Sequence, residues 1–303
     1  MIHGHGDDIH SYKGKMRINF SSNVYSHIDH AGLENHLISS FGQLRSYPEP
    51  EGESLKKIIA GIYGIVESQI VVTNGATEAI YLIANAYRGK TSAILSPTFS
   101  EYSDACKLFN HKVKHIKSLE ETESGDDIIW LCNPNNPTGS VLDKTLLGNY
   151  INRFADKLFI IDQSYESFTK KEIFDKKEAS SFSNLIIINS LTKKYAIPGL
   201  RIGYFFTVNE ILAKQIKKFC MPWSVNSLAI EAAKYLISQK YPLFNLTTLL
   251  EETSRLRDEI NKIDGITAFP TDTHFFLCKT EKDSSHKLKK YLMENHGILI
   301  RDA

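Results

Sequence analysis

The sequence predicts an α/β fold with a large, mostly parallel sheet and a smaller α+β unit. Several short apolar runs are each followed by a turn signal and then by a helical pattern, which is typical of a βαβ series. The runs are apolar on both faces, so we expect helices to cover both sides of the sheet. The clearest predicted strands are 70–73, 92–95, 128–132, 158–162 and 185–189.

Beyond residue 208 the pattern changes to amphipathic helices, with apolar residues three and four apart over 209–219, 225–238 and 246–262. A later apolar run at 275–278, followed by a helical pattern over 284–295, indicates part of a smaller α+β domain. The first forty residues are polar and irregular. We therefore predict a large domain over 40–215 and a small domain built from 1–39 and 216–303.

Composition excludes several classes of protein. The 303 residues are 42% hydrophobic and 23% charged with a net charge of +1, so neither nucleic acid nor a membrane is indicated as a partner. The cysteines at 106, 132, 220 and 278 lie far apart, which predicts buried free thiols and no metal site. The opening is polar, and no apolar run approaches the roughly 20 residues of a membrane span, so we expect a cytoplasmic protein.

The densest signal is the polar stretch SLTKKYAIPGLRIG at 190–203, directly after a predicted strand. Loops at the carboxyl ends of parallel strands are where α/β proteins place their sites. A lysine there can form an imine with an aldehyde if its pKa is lowered, and nearby Lys194 and Arg201 can contribute to that. Taken alone, the stretch would be a solvated basic loop.

The stretch resembles the lysine motif of class I/II aminotransferases, enzymes that use pyridoxal 5'-phosphate (PLP). In that motif a serine lies three residues before the lysine and an arginine eight after it. Ser190 and Arg201 have these offsets from Lys193, whereas Lys194 would break both. The resemblance implies that Lys193 carries PLP as a Schiff base and that Ser190 and Arg201 bind its phosphate.

Two further segments resemble the same family. DQSY at 162–165 is similar to its Asp-x-x-Tyr element, which implies that Asp162 keeps the pyridine nitrogen protonated and that Tyr165 binds the 3-oxygen. NPNNPTG at 133–139 is similar to a family loop in which Asn136 donates to the 3-oxygen from the other side. Alone, a turn-capping aspartate and a plain Asn-Pro turn would explain them.

The segment TNGATE at 73–78 lies between a predicted strand and a predicted helix. Free N–H groups and the dipole at a helix start suit a phosphate, although an ordinary capped helix start has the same appearance. Resemblance to the family's phosphate cup implies that Gly75, Ala76 and Thr77 bind the cofactor.

Aromatic residues complete the predicted site. SPTFSEY at 96–102 looks like the family loop whose aromatic stacks on the cofactor, which implies Phe99, with Tyr102 lining the substrate pocket. A core aromatic fits Tyr102 nearly as well. RSYPEP at 45–50 resembles the segment whose tyrosine reaches a neighbouring subunit's cofactor, so Tyr47 implies a homodimer.

These motifs run from about 45 to 205 in family order, and the resemblance implies PLP-dependent transferase fold type I. YPEP at 47–50 and GILIRD at 297–302 resemble the branch of histidinol-phosphate aminotransferase and threonine-phosphate decarboxylase. There Arg301 would contact the substrate's phosphate, although a surface arginine that ends a strand fits equally well. Asn23 is likewise assigned to the substrate.

We expect a PLP-dependent transaminase that acts on a small, phosphorylated amino acid and an oxo acid, with threonine-phosphate decarboxylase as the alternative. The opening HGHGD at 3–7 and NFSSN at 19–23 tilt slightly toward the decarboxylase. A PLP-dependent transcription regulator needs a DNA-binding module, for which the arm before Asn19 is too short. An inactive member is opposed by the retained motifs, and supported by a carboxyl end that is short relative to the family.

Overall fold

The computed structural model describes residues 9–12, 14–239, 243–281 and 284–302. The HGHGD segment lies outside these residues. In chain order the strands are β1 (Ile18–Phe20), β2 (Ile70–Thr73), β3 (Thr91–Leu95), β4 (Lys112–Ile116), β5 (Ile128–Cys132), β6 (Leu158–Asp162), β7 (Leu185–Ser190), β8 (Gly203–Phe206), β9 (Ile266–Ala268), β10 (Cys278–Thr280) and β11 (Ile298–Ile300). The helices are α1 (Ala31–Ser40), α2 (Glu53–Tyr63), α3 (Gly75–Ala86), α4 (Glu101–Leu108), α5 (Lys144–Arg153), α6 (Lys176–Ala179), α7 (Leu191–Lys194), α8 (Glu210–Lys217), α9 (Ser227–Ile237), α10 (Leu246–Ile260) and α11 (Ser285–His296).

The centre of the fold is a seven-stranded sheet with the order β2-β8-β7-β6-β5-β3-β4. Strand β8 is antiparallel to both of its neighbours, and the other six strands run in one direction. The predicted mostly parallel α/β sheet is therefore confirmed, and all five strands named above are present. Because six strands share a direction, their carboxyl ends lie along one edge of the sheet.

Side chains of the central strands alternate between two buried clusters. In β5, Ile129 and Leu131 pack into a cluster that includes side chains of α2, α5 and α9, whereas Ile128 and Trp130 pack into one that includes α3, α4 and α8. Successive residues of a strand point to opposite faces, which produces this alternation. Helices thus cover both faces of the sheet, as the apolar strands predicted.

The amino-terminal region differs from the expected irregular chain. It contains β1, which pairs in parallel with β11, and α1, which packs against α9. Strands β9 and β10 form an antiparallel pair, and β10 begins at Cys278, three residues after the start of the apolar run at 275. The division of the chain at residue 215 stays a prediction.

The structure also bears on the cysteines and on the search for a membrane span. Cys106 and Cys132 are buried, but Cys220 is only half-buried and Cys278 is exposed, so the expectation of four buried thiols was wrong. Among the described residues, no helix has both the length and the apolar character needed to cross a membrane.

Candidate active site

The predicted motifs converge at the carboxyl edge of the sheet. Strands β2, β5, β6 and β7 end at this edge, and each is followed directly by one of the motifs. The register places Asp162 of β6 beside Cys132, next to the Asn-Pro loop, and beside Ile188 of β7. Parallel strands thereby bring together segments that are far apart in sequence.

Asp162 is a buried carboxylate that is held in a fixed orientation. The Tyr102 hydroxyl donates to Oδ2 at 2.9 Å, and the backbone N–H of Ser164 donates to Oδ1 at 2.8 Å. Burial raises the pKa of Asp162, while hydrogen bonds from Ser164 and Tyr102 and the charge of Lys193 act against that rise. The carboxylate is thus placed to accept from, and to be stabilised by, a cationic N–H group.

Asn23 joins two residues of the predicted site. Its Nδ2 lies 3.3 Å from Oδ1 of Asn136 and 3.4 Å from the hydroxyl oxygen of Tyr165. Burial raises the pKa of Tyr165, which the hydrogen bond from Asn23 and, more weakly, the charge of Arg301 oppose. At neutral pH the phenol therefore keeps its proton, and it can both donate and accept.

Gly75 and Arg201 form a tight cradle at the start of α3. Gly75 has φ of +81°, and a Cβ placed on it would lie 2.6 Å from Nη2 of Arg201. A Cβ on Gly203 would lie 2.7 Å from the backbone nitrogen of Ala76, so β8 also packs closely here. Only glycine at both positions allows the guanidinium and the strand to approach the helix start this closely.

The other predicted phosphate ligands surround this cradle. Thr77 is half-buried in the first turn of α3, and the Ser190 hydroxyl lies 2.8 Å from that of Thr192. Backbone N–H groups at a helix start, a hydroxyl and a guanidinium together form a donor set that suits a phosphate group.

The two neighbouring lysines occupy different environments. Lys193 is half-buried in α7, and its charge acts on Asp162 and on His274. Lys194 is exposed, and its ammonium lies 5.2 Å from the centroid of the Tyr195 ring. The structure therefore places the charge of Lys193 near Asp162, and the assignment of Lys193 to the cofactor stays a prediction.

Three other predicted residues lie around Tyr165 and Asp162. The ring of Phe99 contacts Tyr102 edge-on, with centroids 5.8 Å apart, and the guanidinium of Arg301 lies 6.0 Å from the Phe99 centroid. Tyr102 is almost fully buried and contacts Asp162. Its predicted contact with a substrate stays a prediction.

Tyr47 lies on the surface. Its side chain is 81% exposed and packs on Trp223, with ring centroids 4.9 Å apart. The phenol is thus accessible to a second molecule, and its predicted role at a neighbouring site stays a prediction.

His274 is a site residue that sequence reasoning missed. Its ring packs on Phe168 at a centroid distance of 3.9 Å, and its Nε2 lies 3.3 Å from the carbonyl oxygen of Asn23. The one signal in the sequence is a polar imidazole directly before an apolar run. Without the fold, nothing indicates that this segment meets Asn23.

The residues present fit PLP. A buried carboxylate suits a protonated ring nitrogen, a glycine-dependent cradle with a guanidinium suits the phosphate, and a half-buried lysine suits the aldehyde. Within the part of the chain that the structure describes, no group of three or more His, Cys, Asp or Glu side chains is arranged to hold a metal ion.

Comparisons with known proteins identify the family of the chain. The profile of the family described as aminotransferase class I and II matches residues 15–303. A histidinol-phosphate aminotransferase from Thermoanaerobacter sp. (strain X514) is 32% identical over 276 residues, which are 86% of this chain and 76% of that protein.

Two solved structures are also similar. The L-threonine-O-3-phosphate decarboxylase from Porphyromonas gingivalis is 38% identical with a TM-score of 0.92, over 95% of this chain and 90% of that one. A histidinol-phosphate aminotransferase from Sinorhizobium meliloti, in complex with pyridoxal-5'-phosphate, is 18% identical with a TM-score of 0.86, over 96% of this chain and 84% of that one. At that identity the second likeness shows the fold alone.

The fold and the site define a PLP-dependent enzyme of fold type I. The chain belongs to the aminotransferase class I and II family, within which its relatives include histidinol-phosphate aminotransferases and threonine-phosphate decarboxylases.

Proposed function

We propose that this chain holds PLP as a Schiff base on Lys193 and acts on a small, phosphorylated amino acid. One observation carries the proposal: Asp162, Lys193 and the Gly75–Arg201 cradle, which come from three distant segments, meet at one edge of the sheet. When bound, PLP supplies an electron sink that stabilises negative charge at the substrate's Cα.

Each side chain has a role that follows from its contacts. Asp162, oriented by Tyr102 and Ser164, would hold a proton on the ring nitrogen. Oδ1 of Asn136 faces Asn23, so its Nδ2 would donate to the 3-oxygen, with Tyr165 as a second partner. Phe99 would pack on the ring.

The phosphate of PLP would lie in the cradle. Backbone N–H groups of Gly75, Ala76 and Thr77 would donate to it, together with the Ser190 hydroxyl and the Arg201 guanidinium. The freed amine of Lys193 would then move a proton at Cα.

Arg301 is the proposed ligand for the anionic group of the substrate. It lies beside the Phe99 ring, and its charge is close enough to lower the pKa of Tyr165 slightly against the effect of burial. A guanidinium binds phosphate or carboxylate through two parallel hydrogen bonds, so it also orients the substrate. That orientation decides which Cα bond stands perpendicular to the ring and is therefore cleaved.

Transamination and decarboxylation remain two candidate reactions. The family and the Thermoanaerobacter relative support transamination. The sequence identity of 38% to a threonine-phosphate decarboxylase structure, which covers 95% of this chain, supports decarboxylation. Both reactions use the same contacts to the cofactor, so the contacts that bind and orient the substrate must determine which reaction takes place.

One incubation distinguishes the two reactions. The cofactor-loaded protein is mixed with L-threonine phosphate, and both carbon dioxide and the absorbance of the cofactor are followed. Release of carbon dioxide without conversion to the pyridoxamine form identifies the decarboxylase. Conversion to the pyridoxamine form without carbon dioxide identifies a transaminase, and neither change with any phosphorylated amino acid contradicts the proposed substrate class.

We further propose a cytoplasmic homodimer in which Tyr47 of one subunit reaches the cofactor phosphate bound by the other. The support is that Tyr47 is exposed although it is aromatic, and that it packs on a second exposed aromatic residue, Trp223. Exposed aromatic pairs are common at interfaces between subunits.

A further inference from the structure

His274 is held in place by the loop that carries Asn136. The backbone N–H of Asp272 donates to the carbonyl oxygen of Gly139 at 3.0 Å, and the Asp272 carboxylate accepts from the N–H of Val141 at 3.0 Å. A Cβ on Gly139 would collide with the Thr271 hydroxyl and lie 2.7 Å from the carbonyl oxygen of Phe275. The segment 271–275 is therefore packed tightly against the Asn-Pro loop, and the imidazole has little freedom to move.

The contacts of His274 define which nitrogen carries the proton. Nε2 faces the carbonyl oxygen of Asn23 at 3.3 Å, and a carbonyl can only accept, so Nε2 must donate. Burial lowers the pKa of His274 to about 4, against the effect of the hydrogen bond to Asn23, and the charge of Lys193 adds to this lowering. At neutral pH the ring is therefore uncharged, and Nδ1 presents a bare lone pair.

That lone pair has no partner among the residues that the structure describes. Nδ1 is shielded from solvent and accepts no hydrogen bond within this part of the chain. A buried acceptor without a donor is costly and uncommon in native proteins, so it calls for an explanation. The nearest rings, those of Phe168 and Phe275, offer no N–H or O–H group.

Lys193 is the donor that the electrostatics place close by. Its charge acts on both His274 and Asp162, and Lys193 is half-buried just after the end of β7, so the amine belongs to the same site as the imidazole. An amine on a flexible four-carbon chain carries several donors that can rotate toward an acceptor. A carboxylate at position 274 would hold that amine as a charged ammonium, whereas a neutral imidazole orients it without adding negative charge.

We propose that rotation of the Lys193 side chain brings its Nζ to Nδ1 of His274, which then accepts a hydrogen bond from the amine when the amine is not joined to the cofactor, so that His274 is a positioning residue for the amine. The inference rests on the proposed function of Lys193. It explains why a histidine is buried here with Nε2 hydrogen-bonded to Asn23 and Nδ1 without a partner in the part of the chain that the structure describes. It also assigns the amine a resting position when the substrate displaces it.

The direct test is the ¹⁵N resonance of His274 Nδ1, which is identified by its loss in His274→Phe. We expect a resonance typical of a hydrogen-bonded acceptor in the cofactor-free protein. In the cofactor-loaded protein and in cofactor-free Lys193→Ala we expect that of a bare acceptor. An Nδ1 resonance that is the same in all three samples, or one that shows Nδ1 carrying the proton, overturns the proposal.

Kinetics on the loaded enzyme give a second readout. His274→Phe keeps a ring against Phe168 but lacks the acceptor, and we expect kcat to fall about tenfold with KM changed less than about twofold. His274→Asn keeps an amide oxygen and should recover most of the lost kcat. Equal kcat for the wild type and His274→Phe contradicts the proposal, as does equal loss in both variants.

The two proposals fail in different ways. If borohydride reduction leaves no label on Lys193, then the proposed function itself is wrong. If Lys193 is labelled in the wild type and in His274→Phe, but the Nδ1 resonance is the same in the cofactor-free wild type and in cofactor-free Lys193→Ala, then only the role of His274 is wrong. The resonance comparison needs no folded His274 variant other than the one used for assignment, since Lys193→Ala retains the histidine.

Discussion

At the scale of single residues, the carboxylate of Asp162 has a fixed position and orientation. It is buried, and both of its oxygens already accept hydrogen bonds from Tyr102 and Ser164. Replacement by asparagine keeps the shape but removes the charge that would stabilise a protonated ring nitrogen. We therefore expect Asp162→Asn to retain the label on Lys193 but to lose roughly 10²–10³-fold in kcat/KM with the active substrate.

A matched control is Asp143→Asn, which changes an exposed aspartate to asparagine at the start of α5. Asp143 accepts from the N–H of Leu146 at 2.8 Å, and asparagine caps helices equally well. Its kcat/KM should stay within about twofold of the wild type, since surface changes of this kind are small. Comparable losses in both variants would assign the effect to folding and not to the ring nitrogen.

His274 predicts a dependence of stability on pH. Between about pH 6.5 and pH 4, His274 is protonated in the unfolded chain but not in the folded protein, because burial lowers the pKa of His274 to about 4 in the folded state. Acid therefore favours the unfolded state through this group. Thermal unfolding should show that the stability of the wild type relative to His274→Asn declines as the pH falls from 6.5 to 4.

Above pH 7 the difference between these two proteins should be constant, because His274 is then neutral in both the folded and the unfolded states. If the stability of the wild type relative to His274→Asn is the same at every pH, or rises as the pH falls from 6.5 to 4, then the assignment of a neutral imidazole is wrong.

Some residue contacts followed from the sequence and others did not. Lys193, Asp162, Tyr165, Asn136 and Arg201 could be named because they stand in short motifs that resemble those of the aminotransferase family. Tyr102 donating to Asp162 and His274 meeting Asn23 join segments 60 and 251 residues apart. Such contacts depend on how strands and loops pack, and no local pattern encodes them.

At the scale of elements, the start of α3 depends on a glycine. Gly75 and Gly89 both have positive φ, of +81° and +79°, so alanine at either position strains the backbone similarly. At Gly75 the new Cβ would also lie 2.6 Å from Nη2 of Arg201, whereas at Gly89 nothing lies within 4 Å. We expect Gly75→Ala to weaken PLP binding by about tenfold or more, as measured by equilibrium titration.

Gly89→Ala provides the matched control for this element. It should lower the melting temperature through backbone strain of about 1–2 kcal/mol and leave PLP affinity unchanged. If both variants bind PLP as the wild type does, then the cradle between α3 and Arg201 is not where the phosphate lies.

The prediction of secondary structure was correct for the strands that are buried on both faces. These central strands are continuous short apolar runs, which identifies them as strands. Strand β4 has the sequence KVKHI at the edge of the sheet, where polar side chains are tolerated, so it lacks the apolar signature of a central strand. Strand β8 is apolar and buried, but it is only four residues long, and its antiparallel direction depends on tertiary pairing and not on local composition.

At the scale of the whole molecule, the proposed homodimer makes a prediction of its own. If Tyr47 completes a neighbour's site, then a mixture of Tyr47→Ala and Lys193→Ala proteins forms hybrid dimers in which one site has both lesions and the other has none. Mixing should restore activity above the sum of the separate proteins after subunits exchange. No gain, in a sample shown to contain hybrid dimers, contradicts a shared site.

Domain organisation is the least predictable level. The predicted boundary at residue 215 lies shortly after the change of pattern at 208, yet buried residues of α9 lie in the same cluster as side chains of the sheet. A change of pattern marks a change of secondary structure, but it does not show which body of the protein the next helix packs against.

The central claim is a covalent bond between Lys193 and the aldehyde of PLP, and one measurement tests it directly. The PLP-loaded protein is reduced with borohydride, digested, and mapped by mass spectrometry, with Lys193→Ala treated in parallel. The account predicts a pyridoxyl group on Lys193 in the wild type, and neither that label nor the yellow chromophore in the variant. A label on Lys194 instead, or an unchanged chromophore in Lys193→Ala, would contradict it.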